Sequence, residues 1–193
     1  MLAHVDGQLT YKSPTMVVID CQGVGYEIHI SLNTYEKINP LQRVRLFTHL
    51  SIKEDAHTLY GFFEESERAL FRHLISVNGI GPSTGRMILS SLSPAEIFKA
   101  ISQGNVSLLT TIKGVGPKSA QRIVLELQDK LRKDGTPFGS ATPESGSTRE
   151  ESIGALLMLG FNRNNTEKEV DKLLRLNPDW NVEEVIKAAL RNL

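Results

Sequence analysis

The chain is short of cysteine, of long apolar runs and of net charge, and each shortage narrows the class of protein. One cysteine among 193 residues excludes an internal disulfide framework and favours a reducing compartment. We interpret that residue, Cys21, as a small strand residue rather than a catalytic thiol. No run of about 18 apolar residues occurs, so we expect no membrane span and no membrane partner. The first residues lack a basic segment followed by an apolar one, which predicts no secretory signal and a cytoplasmic protein.

Net charge is zero, but the charge is unevenly distributed. Residues 64–133 hold 10 Lys and Arg against 6 Asp and Glu, whereas residues 1–63 hold 5 against 6 and residues 134–193 hold 7 against 10. A basic segment between neutral or acidic neighbours can bind phosphate groups with an affinity that depends on salt. The middle of the chain is therefore where a nucleic-acid site is expected.

That basic segment contains one short phrase twice, with an offset of 35 positions. The first copy reads Gly79-Ile80-Gly81-Pro82 and the second reads Gly114-Val115-Gly116-Pro117. Paired glycines allow a tight turn with positive φ, and the proline suits the first turn of a helix. Each turn then leads into a helix N-terminus, whose free N–H groups and dipole favour a phosphate.

Two helix-turn-helix corners without any ligand are the alternative interpretation of this repeat. Lys118 and Arg122 fall on the opening turns of the second helix. Because the two copies are in register and the second carries these cations, we favour binding to the DNA backbone. The predicted backbone-binding residues are Gly79, Ile80, Gly81, Ser83, Thr84, Arg86, Gly114, Val115, Gly116, Lys118, Ser119 and Arg122.

The periodicity of the chain predicts an α+β protein with several domains. Residues 1–63 contain five short strand-like runs, which predict a small closed barrel such as the OB-fold, with Gly23–Gly25 as a hairpin turn and a helical turn at 32–38. Residues 64–133 are helical by spacing and include a capping box at Ser93–Glu96. Residues 134–147 are rich in Gly, Pro and Ser and predict a flexible linker. The remaining segment, 148–193, predicts a bundle of three helices.

Two smaller features have competing interpretations. Glu54 and Asp55 lie at a hairpin tip, where two acids by themselves do no more than keep a turn hydrated. Met158-Leu159-Gly160-Phe161 resembles the loop of ubiquitin-associated domains and favours a protein partner for the tail, although a plain bundle core is the alternative. His49 and His57 form no metal-ligand pattern. We predict no catalytic residue, metal ligand or cofactor.

The order of these segments resembles the RuvA family of Holliday-junction-binding proteins over the whole length of the chain. The twin Gly-aliphatic-Gly-Pro motifs are similar to the helix-hairpin-helix pair of that family, and residues 53–62, KEDAHTLYGF, are similar to its acidic-pin strand pair. The resemblance implies a homotetramer that holds a four-way DNA junction open and planar and contacts phosphates without reading bases. It places the protein in DNA recombination, DNA repair and the SOS response.

The same resemblance implies roles for the remaining segments. Four copies of Glu54 and Asp55 would repel phosphates at the centre of the junction. The tail bundle would bind a hexameric AAA+ ATPase motor of the RuvB type, with Leu156, Leu159 and Phe161 as the predicted contacts. A junction-resolving endonuclease is a further implied partner, and either one tetramer or two can occupy the junction.

One departure from the family pattern concerns the first hairpin. Lys118 follows Gly-Pro in the second copy, but Ser83 takes that place in the first. We therefore expect the second hairpin to dominate the salt dependence. A structure-specific nuclease and a generic DNA-binding adaptor remain the alternative functions. The sequence has no Walker-type phosphate loop, so ATP hydrolysis would have to come from a partner.

Overall fold

The computed structural model describes residues 2–134 and 148–192, with the backbone alone at positions 129 and 131–134. These residues form two compact units, of which the first contains residues 2–134 and the second residues 148–192. The predicted barrel and the predicted helical region both belong to the first unit. Its strands are β1 (His4–Lys12), β2 (Met16–Cys21), β3 (Val24–Ile30), β4 (Arg43–Ile52) and β5 (His57–Phe62); its helices are α1 (Leu32–Ile38), α2 (Glu65–Ile75), α3 (Pro82–Ser91), α4 (Pro94–Ser102), α5 (Val106–Thr110) and α6 (Pro117–Asp134).

The five strands close into a barrel in the order β1-β2-β3-β5-β4, with β4 pairing again with β1. All neighbours are antiparallel except β3 and β5, which run parallel. Alternate residues point inward, so that the barrel core is built from aliphatic side chains that are almost fully buried, among them Val17, Ile19, Ile28, Ile30 and Leu46. The predicted OB-type barrel is confirmed.

The tight turn between β2 and β3 lies earlier than the sequence indicated. Cys21 pairs directly with Val24, so that the loop is the two residues Gln22 and Gly23, whose φ angles are 56° and 93°. Two consecutive positive φ angles are typical of the two-residue turns that match the twist of a hairpin. Gly25, which was assigned to the turn, is a strand residue.

The helices of the first unit pack around one apolar core that includes residues from both copies of the repeat. Leu74, Ile88, Leu109 and Ile123 are completely buried in it. Both copies therefore share one interior.

The capping box predicted before α4 is present. The Ser93 side chain accepts from the Glu96 N–H, and the Glu96 carboxylate accepts from the Ser93 N–H.

The barrel is joined to the helices through α2. The Phe71 ring lies 4.8 Å from that of Phe62, 5.3 Å from that of Tyr60 and 5.4 Å from that of His49, measured between centroids. One turn earlier, the Glu67 carboxylate accepts hydrogen bonds from two hydroxyl groups of the barrel side, which are Ser31 Oγ at 2.5 Å and Thr34 Oγ1 at 2.7 Å. Aromatic packing and buried polar contacts thus hold the two parts together.

The second unit contains α7 (Thr148–Met158), α8 (Arg163–Leu176) and α9 (Val182–Asn192). Its core is formed by aliphatic residues from all three helices, namely Ile153, Leu156, Val170, Leu173, Val185 and Ala189. The predicted three-helix bundle is present, and α8 begins at Arg163. Asn162 is the reason, because its side chain accepts from the Asn164 N–H at 2.9 Å and caps the helix.

The predicted linker, 134–147, lies outside the described residues apart from position 134, which ends α6. Of the helices in the described part of the chain, none combines the length and the apolar character that a membrane span needs.

We predict that the Glu67→Gln variant gains stability relative to the unaltered protein as pH rises. Burial raises the pKa of Glu67, although the hydrogen bonds from Ser31 and Thr34 oppose this. A raised folded-state pKa stabilises the fold below the unfolded value of about 4.3, and this stabilisation is lost as pH rises through the folded pKa. Urea unfolding followed by circular dichroism at several pH values between 4 and 8 measures the difference.

Glu64→Gln is the control, because its shift has the opposite sign. A hydrogen bond from Lys37 holds the pKa of the Glu64 carboxyl below its usual range. The glutamine variant at this position should therefore lose stability relative to the unaltered protein as pH rises. The account of Glu67 is contradicted if its variant follows the same trend as the Glu64 variant.

Candidate nucleic-acid interface

The two copies of the repeat fold into turns with the same geometry. In the first, the Ile80 N–H donates to the Val77 carbonyl oxygen at 3.0 Å, and in the second the Val115 N–H donates to the Ile112 oxygen at the same 3.0 Å. The third residue of each turn is a glycine with positive φ, 90° at Gly79 and 89° at position 114. A bond from the first to the fourth residue with positive φ at the third defines a type II turn.

Each turn delivers a helix N-terminus with unused amide groups. The Gly85 N–H donates to the Gly81 oxygen and the Ala120 N–H donates to the Gly116 oxygen, both at 2.9 Å. These are the first helical bonds of α3 and α6, so the amides that precede them have no partner within the helix. Leaving out the two prolines, these amides belong to Gly81, Ser83 and Thr84 in the first copy and to Gly116, Lys118 and Ser119 in the second.

The second glycine of each motif is not required by its backbone conformation or by crowding around it. Gly81 has an ordinary extended conformation, with φ of −83° and ψ of 169°. A Cβ atom placed on Gly81 or on Gly116 would meet no atom within 4 Å, so neither position is crowded by the described chain. Among the described residues, positive φ occurs at the first glycine of each motif and not at the second. Glycine at this place fits the close approach of an external group.

Ile80 and Val115, which the sequence predicted to bind the DNA backbone, are used inside the protein. Both side chains lie in the common core with 4% of their surface exposed. Their N–H groups are already used inside the turns, which removes the donors they would have offered to a phosphate. The aliphatic residue between the glycines anchors the turn, and the glycines on either side of it are exposed.

The predicted cations take different positions. Lys118 is exposed at the start of α6, as is Lys113 within the second turn, which the prediction did not include. The Arg86 side chain is instead directed to the barrel, where its Nη1 donates to the Thr15 carbonyl oxygen at 2.9 Å. Burial is the main cause that lowers the pKa of His29 on β3, and the charge of Arg86 is the second. The effect of Arg86 agrees with its placement beside the barrel.

Arg122 lies beside the turn of the other copy. Its Nη1 donates to the carbonyl oxygen of Asn78, within the first turn, at 3.4 Å. Two turns further along α6, the Lys130 ammonium donates to Ser76 Oγ at 2.8 Å. Sequence reasoning missed both contacts, because they depend on the path of α6 past the first turn rather than on any local motif.

Glu54 and Asp55 occupy the tip of the β4–β5 hairpin. Strand pairing continues to Ile52 opposite His57, and the Lys53 N–H donates to the Ala56 oxygen at 2.8 Å. Both acids are exposed beyond this bond. They form an acidic projection at one end of the barrel.

The three residues predicted to bind a motor differ in how far they are buried in the second unit. Leu156 is fully buried in the bundle core, so its side chain is not available to a partner. Leu159 is 61% exposed, and its neighbour Met158, which the prediction omitted, is 92% exposed. Phe161 is half-buried against the core. The side of α7 that packs against the bundle core decides which of these residues are exposed to water.

The two turns and the helices that they join share one core, which is the architecture of a tandem helix-hairpin-helix domain. In this chain the domain follows a closed barrel. A family model described as RuvA N terminal domain matches residues 1–61, one described as SAM-like Helix-hairpin-helix tandem matches residues 71–129, and one described as RuvA, C-terminal domain matches residues 147–193. Together these three regions cover most of both units and leave out residues 62–70 and 130–146.

Full-length relatives agree with these matches. A protein of Christiangramia forsetii is 48% identical over 196 residues, one of Flavobacterium psychrophilum is 48% identical over 193, and one of Bacteroides thetaiotaomicron is 45% identical over 201. Each alignment covers 100% of both chains, and each relative is named Holliday junction branch migration complex subunit RuvA. The chain belongs to the RuvA family, as the sequence resemblance predicted.

We predict that the two glycines of one turn respond differently to alanine. Gly79→Ala should destabilise the protein by about 1 kcal/mol or more, because alanine resists a positive φ. Gly81→Ala should cost only about 0.5 kcal/mol, through the loss of a preferred N-cap residue, since its backbone is ordinary and its surroundings are open. Urea unfolding of both variants tests this. Equal destabilisation by the two substitutions would contradict the assignment of strain to the first glycine alone.

Proposed function

We propose that the chain binds four-way DNA junctions through their phosphate backbones, without reading base sequence, as the DNA-binding subunit of a branch-migration complex. The observation that carries this proposal is the pair of glycines, Gly81 and Gly116, which the fold itself does not require. Each stands beside free amides at a helix N-terminus, in the same geometry in both copies. Free N–H groups and open space for close approach are the features that a phosphate site needs.

Two equivalent turns suit a repeating ligand. Consecutive phosphates of a DNA arm present identical groups at regular spacing, and two turns held in one core can contact two of them at once. Hydrogen bonds to phosphates fix position and orientation but carry no sequence information. Selection among DNA molecules would therefore follow the shape of the junction.

The acidic tip of the β4–β5 hairpin, formed by Glu54 and Asp55, would act at the centre of the junction. In a homotetramer with fourfold symmetry, four copies of Glu54 and Asp55 would meet where the arms cross. Their charges repel phosphates, which would keep the arms apart and the junction open. The exposure of both acids supports this role. One tetramer or two on the junction are both compatible with the proposal.

The second unit would recruit the motor, a hexameric AAA+ ATPase, and the complex would act in the cytoplasm in recombination and repair, including the SOS response. The exposed pair Met158 and Leu159 gives the bundle an apolar surface that a partner can cover. Leu156 has no part in this contact. ATP hydrolysis would belong to the motor, and a junction-resolving endonuclease would act on the same DNA.

A gel-shift titration of a synthetic four-way junction against linear duplex of equal length, with magnesium and without ATP, tests the proposal. We expect a strong preference for the junction. Lys118→Ala should weaken binding and lower the slope of log K against log salt by about 1, as expected for the loss of one phosphate contact. Lys99→Ala, an exposed lysine on α4 outside both turns, is the matched control and should leave the slope unchanged.

Other outcomes point to the alternatives. Equal binding to junction and duplex would leave only a generic helix-hairpin-helix adaptor. A cleaved product would favour a nuclease. Unchanged junction binding by the Gly81→Ala and Gly116→Ala variants would contradict the assignment of the phosphate site, because each added methyl group stands where the phosphate is placed.

A further inference from the structure

The two turns carry very different charges of their own. The 35-residue offset places Lys113, Lys118 and Arg122 of the second copy opposite Asn78, Ser83 and Met87 of the first. All three cations thus have neutral counterparts. Arg86, the only arginine or lysine within residues 76–92, donates to the barrel through Thr15. The first turn consequently offers amide groups to a phosphate but has no cation from its own segment beside it.

Arg122 is the cation that the fold brings to this turn. Its guanidinium bonds to the Asn78 carbonyl oxygen through one nitrogen at 3.4 Å, and the side chain is exposed. A guanidinium has five N–H donors, so that most of them stay available for a phosphate. Asn78 is separated by only two residues from Gly81, where the free amides of the first turn begin. The planar fork of arginine suits a phosphate that also accepts from backbone amides.

Lys130 and Glu126 share this face of α6 but differ from Arg122 in what they contact. The Lys130 ammonium bonds to Ser76, which is the C-cap residue of α2, where a cation stabilises the end of the helix dipole. Glu126 lies between the two cations by helical spacing, and within the described residues no ion pair joins it to either. Arg122 alone of the three reaches the turn itself.

We propose that Arg122, although it belongs to the second copy of the repeat, supplies the positive charge for the phosphate held by the first turn. The inference rests on the proposed function, since it assigns a phosphate contact within that interface. Lys113 and Lys118 then contact the phosphate of the second turn. Each turn thus has a positively charged side chain beside its phosphate, although the first copy has no lysine after Gly-Pro. The expectation that the second hairpin alone dominates the salt dependence changes accordingly, because the first also has an arginine beside it.

Junction binding by the full-length chain, measured as a function of salt, tests this assignment. Arg122→Gln keeps an N–H donor for the Asn78 oxygen but removes the charge, and it should lower the salt slope by about 1 and the affinity at 0.1 M salt by about tenfold. Arg122→Lys should keep most of the slope. Lys130→Gln removes the same charge from the same helix face and should leave the slope unchanged. An unchanged slope for Arg122→Gln would mean that the side chain only supports the turn, which overturns the proposal.

Double-mutant cycles decide which turn Arg122 serves. Combined with Gly81→Ala, which blocks the first turn, Arg122→Gln should cost much less than the sum of the single effects. Combined with Gly116→Ala, which blocks the second, the effects should add. The reverse pattern, or an equal slope change in Lys130→Gln, would overturn the assignment while junction binding by the unaltered chain upholds the proposed function. Failure of the unaltered chain to bind would remove both proposals.

Discussion

The interface depends on one apolar core that both copies of the repeat share. Ile80 and Val115 are buried in it, and each lies between the two glycines of its turn. Because these side chains are fixed in the same interior, the turns cannot shift independently, and their unused amides stay on the outside. Burial of two aliphatic residues thus sets the positions of polar groups that bind outside the core. A substitution in this core would therefore shift the turns and their amides, although it changes no exposed residue.

The attachment of the barrel to α2 extends this constraint to the acidic tip. Phe71 packs among barrel rings, Glu67 accepts from Ser31 and Thr34, and Arg68 Nη1 donates to the Ala3 and Thr48 oxygens at 2.7 and 3.2 Å. Arg86 adds a further bond to the barrel at Thr15. The acidic tip and the two turns therefore belong to one compact unit. In the proposed complex, their relative placement on DNA would be set by folding of the chain rather than by binding.

Local patterns in the sequence were sufficient for the repeat, the barrel and the capping box, because each depends on residues that are close in the chain. They failed where the outcome depends on how distant elements cross. The bond from Arg122 to Asn78 requires the path of α6, and the bond from Arg86 to Thr15 requires the docking of the barrel. Leu156 was predicted as a motor contact and Met158 was omitted, because the exposed face of the last turn of α7 depends on its packing against α8 and α9. The sequence resemblance named the family, but it could not distribute the cations between the turns.

Hydrogen–deuterium exchange of the free chain and of its complex with a four-way junction tests the central claim most directly. The amides of Gly81, Ser83, Thr84, Gly116, Lys118 and Ser119 have no partner within their helices, so that they should exchange rapidly in the free protein. The account predicts that exchange in residues 79–84 and 114–119 slows more than elsewhere in the first unit when the junction binds. Strong protection of another surface, such as the arginine-bearing outer face of β4, with both turns unchanged, would contradict it.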